Sequence, residues 1–223
     1  MATISDIVRL FEELAPAAYQ ESYDNSGLQT GDASATVTGV LVTLDCTPEV
    51  IDEAIEKGCN LVVAHHPVIF KGLKQLTGRN YVENTILKAI KNNIAIYACH
   101  TNLDNVSHGV NAKISEKLAL QNTRILAPKQ QVLQKLVTFA PTADTDAVLQ
   151  ALHQAGAGNI GDYKNCSFSV TGKGRFLPTG SANPTIGQHG QLEQVEENRI
   201  EVLYPAYLQN KLLHALKKAQ TYE

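Results

Sequence analysis

The residues of this chain best suited to chemistry lie in two short stretches. In NLVVAHHPVIF, an apolar run of β-forming residues stops at two adjacent histidines, His65 and His66, followed by Pro67. In IAIYACHTNLD, a second such run stops at His100, and Asp104 stands a few residues past its end. Imidazole and carboxylate are the ligands that divalent zinc, iron, manganese or nickel accept. For a single histidine, a hydrogen-bonded interior or surface position is the better expectation. An adjacent pair and an HxxxD, both at strand ends, favour a metal site over that reading.

Such a site needs the two runs to be neighbours. If they are adjacent parallel strands, their carboxyl ends share one edge of the sheet, which is where open α/β sheets place their sites. Three imidazoles and a carboxylate would then collect at one place. Pro67 also restricts the backbone of His66 to an extended conformation, which helps fix its ring. Asp45 ends the earlier run VTGVLVTLD in the same manner. It is expected in the N-terminal turn of the next helix, with support of a metal ligand as the alternative. His108, His153, His189 and His214 have no comparable setting and are expected to be surface or structural residues.

The elements around these stretches alternate. Ile4, Ile7, Val8, Phe11 and Leu14 recur at helical spacing, with Ser5 and Asp6 near the start and Pro16 beyond the end. YDNSGLQTGD carries turn residues on both sides of Gly-Leu-Gln-Thr, and VTGVLVTLD reads as a buried strand ending at Asp45. Thr47 and Pro48 suit the cap and first position of a helix through Lys57, closed by Gly58. NLVVA follows as a strand, then a helix over about 82–93, the strand IAIYACH and a helix over about 109–118. This alternation predicts an α/β sheet.

From Leu120 to Gln134 the period is lost and Pro128 appears, so the reading is of two domains, 1–128 and 129–223. The second runs strand (KLVTFAP), helix (DTDAVLQALHQAG), strand (NCSFSVTGKGRFLP), strand (ENRIEVLYP) and helix (AYLQNKLLHALKKA). That order is a ferredoxin-like βαββαβ unit lacking its last strand. The expectation is therefore an incomplete domain, with residues left out after TYE.

Composition narrows the partners. The 223 residues are 43% hydrophobic and 18% charged, with 22 acidic against 19 basic residues. Such a balance fits an ordinary soluble globular protein and offers no basic field to a phosphate backbone, so nucleic acid is not expected as a partner. The apolar runs fall far short of the roughly 20 residues that cross a bilayer. MATISDIVRLFEEL lacks an unbroken apolar core of a secretory signal, so no membrane association and a cytoplasmic address are expected. Cys46, Cys59, Cys99 and Cys166 show no zinc-knuckle spacing and are expected as reduced thiols. GAGNIG follows a helix and lacks the Lys-Ser/Thr of a phosphate loop, so it reads as a turn. Lys173 and Arg175 belong to a Gly- and Pro-rich loop, where an anionic ligand is the less favoured reading. Lys217 and Lys218 suit a helix C-terminus.

SYDNSGLQTG, VLVTLD, NLVVAHHPVIFKGLKQL and IAIYACHTNLDNVSHGVN together resemble the dinuclear-metal-centre hexameric proteins. These are also known as GTP cyclohydrolase 1 type 2 homologues and as the Ngg-interacting-factor-three-like family. The second unit resembles the domain inserted in the longer bacterial members, which is similar to PII and divalent-cation-tolerance (CutA) proteins. The resemblance implies two divalent metal ions, with His65 and His66 on different ions and Asp104 on one of them. It leaves His100 as a further ligand, a residue behind the ligands, or a catalytic base. It also implies a homohexamer and metal-dependent hydrolysis of a small, nucleotide-like substrate. The alternative it leaves open is a non-enzymatic regulatory or adaptor protein with a ligand-sensing insert. In the longer members a further His and a Glu come from the half-domain after the insert, and the resemblance implies that this sequence contains neither. Where the family completes the last strand of the insert, AQTYE here stands in place of His-Pro-Tyr-Glu.

Overall fold

A computed structural model describes residues 1–130 and 132–221. Gln131, inside the expected boundary stretch, and Tyr222 and Glu223, at the end of AQTYE, lie outside the described residues. The chain is a mixed α/β protein of two compact units, Met1–Leu126 and Ala127–Glu223.

The first unit opens with helix α1, Ile4–Leu14. Its start is set by a reciprocal cap: the Asp6 N–H donates to Thr3 Oγ1, and the Thr3 N–H donates to the Asp6 carboxylate. Ile7, Val8 and Phe11 form its apolar face, which packs on Leu61, Val63 and Tyr97 of the sheet. The sheet has four strands, β1 (Gly27–Thr30), β2 (Val40–Thr43), β3 (Leu61–Ala64) and β4 (Ala95–Ala98). Their order is β1-β4-β3-β2, with β2, β3 and β4 parallel and β1 antiparallel to β4.

The opposite face of the sheet is covered by helices α2 (Pro48–Glu56) and α3 (Tyr81–Lys91), whose Ile51, Ala54, Ile86 and Ala89 meet Val62, Ala64 and Ile96. Alternate residues of β3 and β4 thus enter two different cores. That is why both strands are buried at every position and read as continuous apolar runs.

The stretch ending at Asp45 departs from the expectation of a buried strand. β2 lies at the sheet edge, and its Val40 and Val42 are exposed, Val42 at 74%. Its run of β-branched residues reports strand propensity, whereas burial depends on what covers the strand. A four-residue helix, α4 (Thr101–Asp104), follows β4, and α5 (Val110–Lys117) comes next.

The second unit runs β5 (Leu133–Pro141), α6 (Thr145–Gln154), β6 (Phe168–Phe176), β7 (Glu193–Pro205) and α7 (Gln209–Ala219). β7 lies between β5 and β6, antiparallel to both. Val148 and Leu152 of α6 and Leu212 and Leu216 of α7 bury one face of this sheet with Ala140, Ile200 and Val202. Among the described residues no helix is long and apolar enough to cross a membrane.

Candidate metal centre

β3 and β4 are in parallel register, with Ala64 opposite Ala98, so the chain leaves both strands at the same edge. The N–H groups of His65 and His66 donate to consecutive carbonyls at the end of β2, those of its last residue Thr43 and of Leu44 just after it. In a regular parallel ladder only alternate residues face a given neighbour. Two consecutive donors therefore mark a break in the extended alternation. Beyond that break the two imidazoles lie side by side, with ring centroids 5.0 Å apart.

His100 joins them from the end of β4. Its ring centroid is 5.3 Å from that of His65 and 5.6 Å from that of His66. One ring nitrogen of each of the three lies within 4.8 Å of the others. His100 is also the N-terminal cap of α4, and the helical turn carries Asp104 back over the cap. Asp104 Oδ1 stands 3.9 Å from His65 Nε2. Metal bonds to imidazole and carboxylate are about 2.0–2.2 Å, so two atoms sharing one ion can lie up to about 4.2 Å apart. The His65–Asp104 spacing meets that limit.

Each ring is held from behind through Nδ1. That of His65 faces the carbonyl oxygen of Cys99 at 2.9 Å. Those of His66 and His100 each face a carboxylate at 2.7 Å, from Asp45 and Asp24 respectively. A carbonyl or an ionised carboxylate can only accept, so each Nδ1 must carry the hydrogen. In the neutral rings the lone pair then resides on Nε2, the arrangement of metal-binding histidines whose other nitrogen donates to a carboxylate or backbone carbonyl. The donor types and their backing fit a divalent metal ion.

The structure thus brings His65, His66 and His100 together and places Asp104 beside His65. Asp45 serves as the partner of His66, the alternative role read for it from the sequence. His108 donates from Nε2 to the carbonyl of Leu14, and His153 from Nδ1 to that of Ala157, away from this group.

Asp24 has no counterpart in the sequence reading, which took it for a turn residue. Its side chain is fully buried. It is held well below the usual carboxylate range: burial opposes this, but hydrogen bonds from His100, Thr101 and the Asn25 N–H prevail. The signal was its place in SYDNSGLQTG, but 76 residues separate it from His100.

The asparagines of HTNLDN serve the scaffold. Asn102 donates to the Ala15 carbonyl at 2.7 Å and Asn105 to that of Tyr19 at 2.8 Å, fastening α4 to the segment after α1. Asn25 reaches the Ile69 carbonyl, and Gln29 accepts from the Ile69 N–H, so the same region also holds the chain after His66.

Residues 2–175 match the family described as Duf34/NIF3 (NGG1p interacting factor 3). The chain is 43% identical over 218 residues to a Bacillus subtilis protein named GTP cyclohydrolase 1 type 2 homolog, covering 97% of this chain and 58% of the relative. A Halalkalibacterium halodurans protein of the same name is 42% identical, with 97% and 59% covered. Among solved structures, a Bacillus cereus protein related to NIF3 superposes with a TM-score of 0.86 at 44% identity, covering all of this chain and 59% of that one. The chain therefore spans less than two thirds of the length of these relatives. With three quarters of its length inside the family match and these relatives beside it, the chain belongs to the Duf34/NIF3 family.

Proposed function

We propose that the first unit supplies one side of a dinuclear divalent-metal centre in a metal-dependent hydrolase. The observation that carries this is the convergence of three imidazoles whose Nδ1 atoms are all occupied by acceptors, leaving three Nε2 lone pairs for one small space. His65 and His66 would hold different ions, and Asp104 would bind beside His65. A bound divalent pair supplies Lewis-acid polarisation and a nucleophile that is active near neutral pH. His100, backed by a buried carboxylate, is placed to take up and return a proton at Nε2.

The substrate class we favour is a small nucleotide-like or cyclic amide compound, in keeping with the name borne by the relatives. The second unit is read as a ferredoxin-like, PII/CutA-like domain, a reading its strand order with β7 in the middle supports. The whole protein is read as a cytoplasmic homo-oligomer, a hexamer by resemblance.

The test is elemental analysis of the chain and of its His65→Ala, His66→Ala and Asp104→Ala variants, followed by turnover of GTP and cyclic amides with and without chelator. Loss of bound metal in the variants and chelator-sensitive turnover are expected. Equal metal content in all four proteins would overturn the site. Metal without turnover would favour a regulatory or adaptor protein instead.

A further inference from the structure

We propose that Asp24 is a positioning residue that fixes both the proton and the direction of the His100 ring, so that His100 presents a bare Nε2 to His65 and His66. The inference rests on the reading of these histidines as a working cluster, and deepens it.

Five donors surround the Asp24 carboxylate. Oδ1 receives the Nδ1–H of His100 at 2.7 Å and the Asn25 N–H at 2.7 Å. Oδ2 receives the Thr101 N–H at 3.0 Å, the Ser26 hydroxyl at 3.0 Å and the Thr101 hydroxyl. The direction of that last bond is settled locally. Thr101 Oγ1 already accepts the Glu21 N–H at 2.9 Å, so its own hydrogen is free for Asp24. A buried carboxylate without water needs such a complete set of donors. Four of the five hold Asp24 in place; the fifth, His100, is the one that belongs to the cluster.

The carboxylate is therefore a fixed acceptor to which the ring must conform. The neighbouring pair shows what is distinctive here. His66 and Asp45 make the same contact with side chains 46% and 61% exposed, whereas His100 and Asp24 are 19% and 0% exposed. A hydrogen bond to a charged group is stronger where water is excluded. Between His66–Asp45 and His100–Asp24, the latter is the pair whose tautomer water cannot readily scramble.

The experiment is nitrogen-15 NMR of the full chain with labelled histidine, metal-free and at mildly alkaline pH, with the His100 signals assigned from their loss in His100→Gln. In the wild type, His100 is expected as a single tautomer protonated at Nδ1. Asp24→Asn should shift the tautomer ratio by about tenfold towards Nε2–H, the scale of a lost charge-assisted hydrogen bond. Thr101→Val, which loosens the loop but keeps the Asp24–His100 bond, should leave the tautomer unchanged.

Two results would overturn the proposal: a wild-type His100 protonated at Nε2, which needs no variant to fold, or a tautomer that moves as much in Thr101→Val as in Asp24→Asn. Because the protein is metal-free throughout, failure of the metal reading would appear in elemental analysis and leave this measurement intact.

Discussion

Nδ1 of His66 lies 2.7 Å from Oδ1 of Asp45, so a carboxylate at the end of the edge strand β2 orients an imidazole at the end of the buried strand β3. Residues that orient a ligand in this way are typically worth about 10–100-fold in metal affinity. Asp45→Ala is expected to weaken zinc binding within that range without unfolding the first unit, as measured by competition with a chromophoric chelator. An unchanged affinity would show that this exposed pair does not orient the ring in water.

Glu83 ties down the loop before α3. Its Oε2 accepts the N–H and hydroxyl of Thr77 and the N–H of Arg79, while its own N–H donates to the capping side chain of Asn80. The N–H groups of Thr77 and Arg79 foremost hold its carboxyl down to about 2, against an ordinary value of 4.5. A depressed acid stabilises the fold above its unfolded value and loses that contribution as pH falls through its folded one. Glu83→Gln should therefore lower Tm at neutral pH, and the gap to the wild type should close between about pH 4.5 and 2. A gap independent of pH would point to packing instead.

Ile96 is completely buried at the centre of the first sheet, between Val62 and the helices above it. Ile96→Ala should cost about 2–5 kcal/mol, because the surrounding strands and helices cannot collapse fully into the space left. Native-state hydrogen exchange should show the loss as faster exchange of β3 and β4 amides. With the second unit carrying its own core, the protection of β7 should not change.

Burial pushes the thiols of Cys46 and Cys99 up, to about 12 and about 11. Only thiolates react at useful rates, so neither should alkylate in the native chain at neutral pH. Cys59 and Cys166, both partly exposed, should react first. Iodoacetamide labelling with and without denaturant, read by mass spectrometry, checks the order.

Much of the first unit was legible because its local signals agree. The spacing of Ile4, Ile7, Val8 and Phe11 gave α1, Thr47-Pro48 gave the start of α2, and the apolar runs before His65 and His100 gave β3 and β4. The same runs placed three histidines at strand ends, which a parallel pairing brings to one edge, while Asp104 comes to His65 through the turn of α4. Helix α4 escaped notice because four residues carry too little periodicity to be read.

By itself, then, the sequence determined which residues end the two buried strands, since apolar continuity followed by His is a local property. Only the tertiary structure decided which nitrogen of each ring is free. That depends on the acceptors behind the rings: the Cys99 carbonyl, Asp45 and Asp24, the last contributed from 76 residues away. It also decided that β2 lies at an edge, because burial follows from neighbours brought in by the fold, and Val42 has the composition of a core residue without the cover of one.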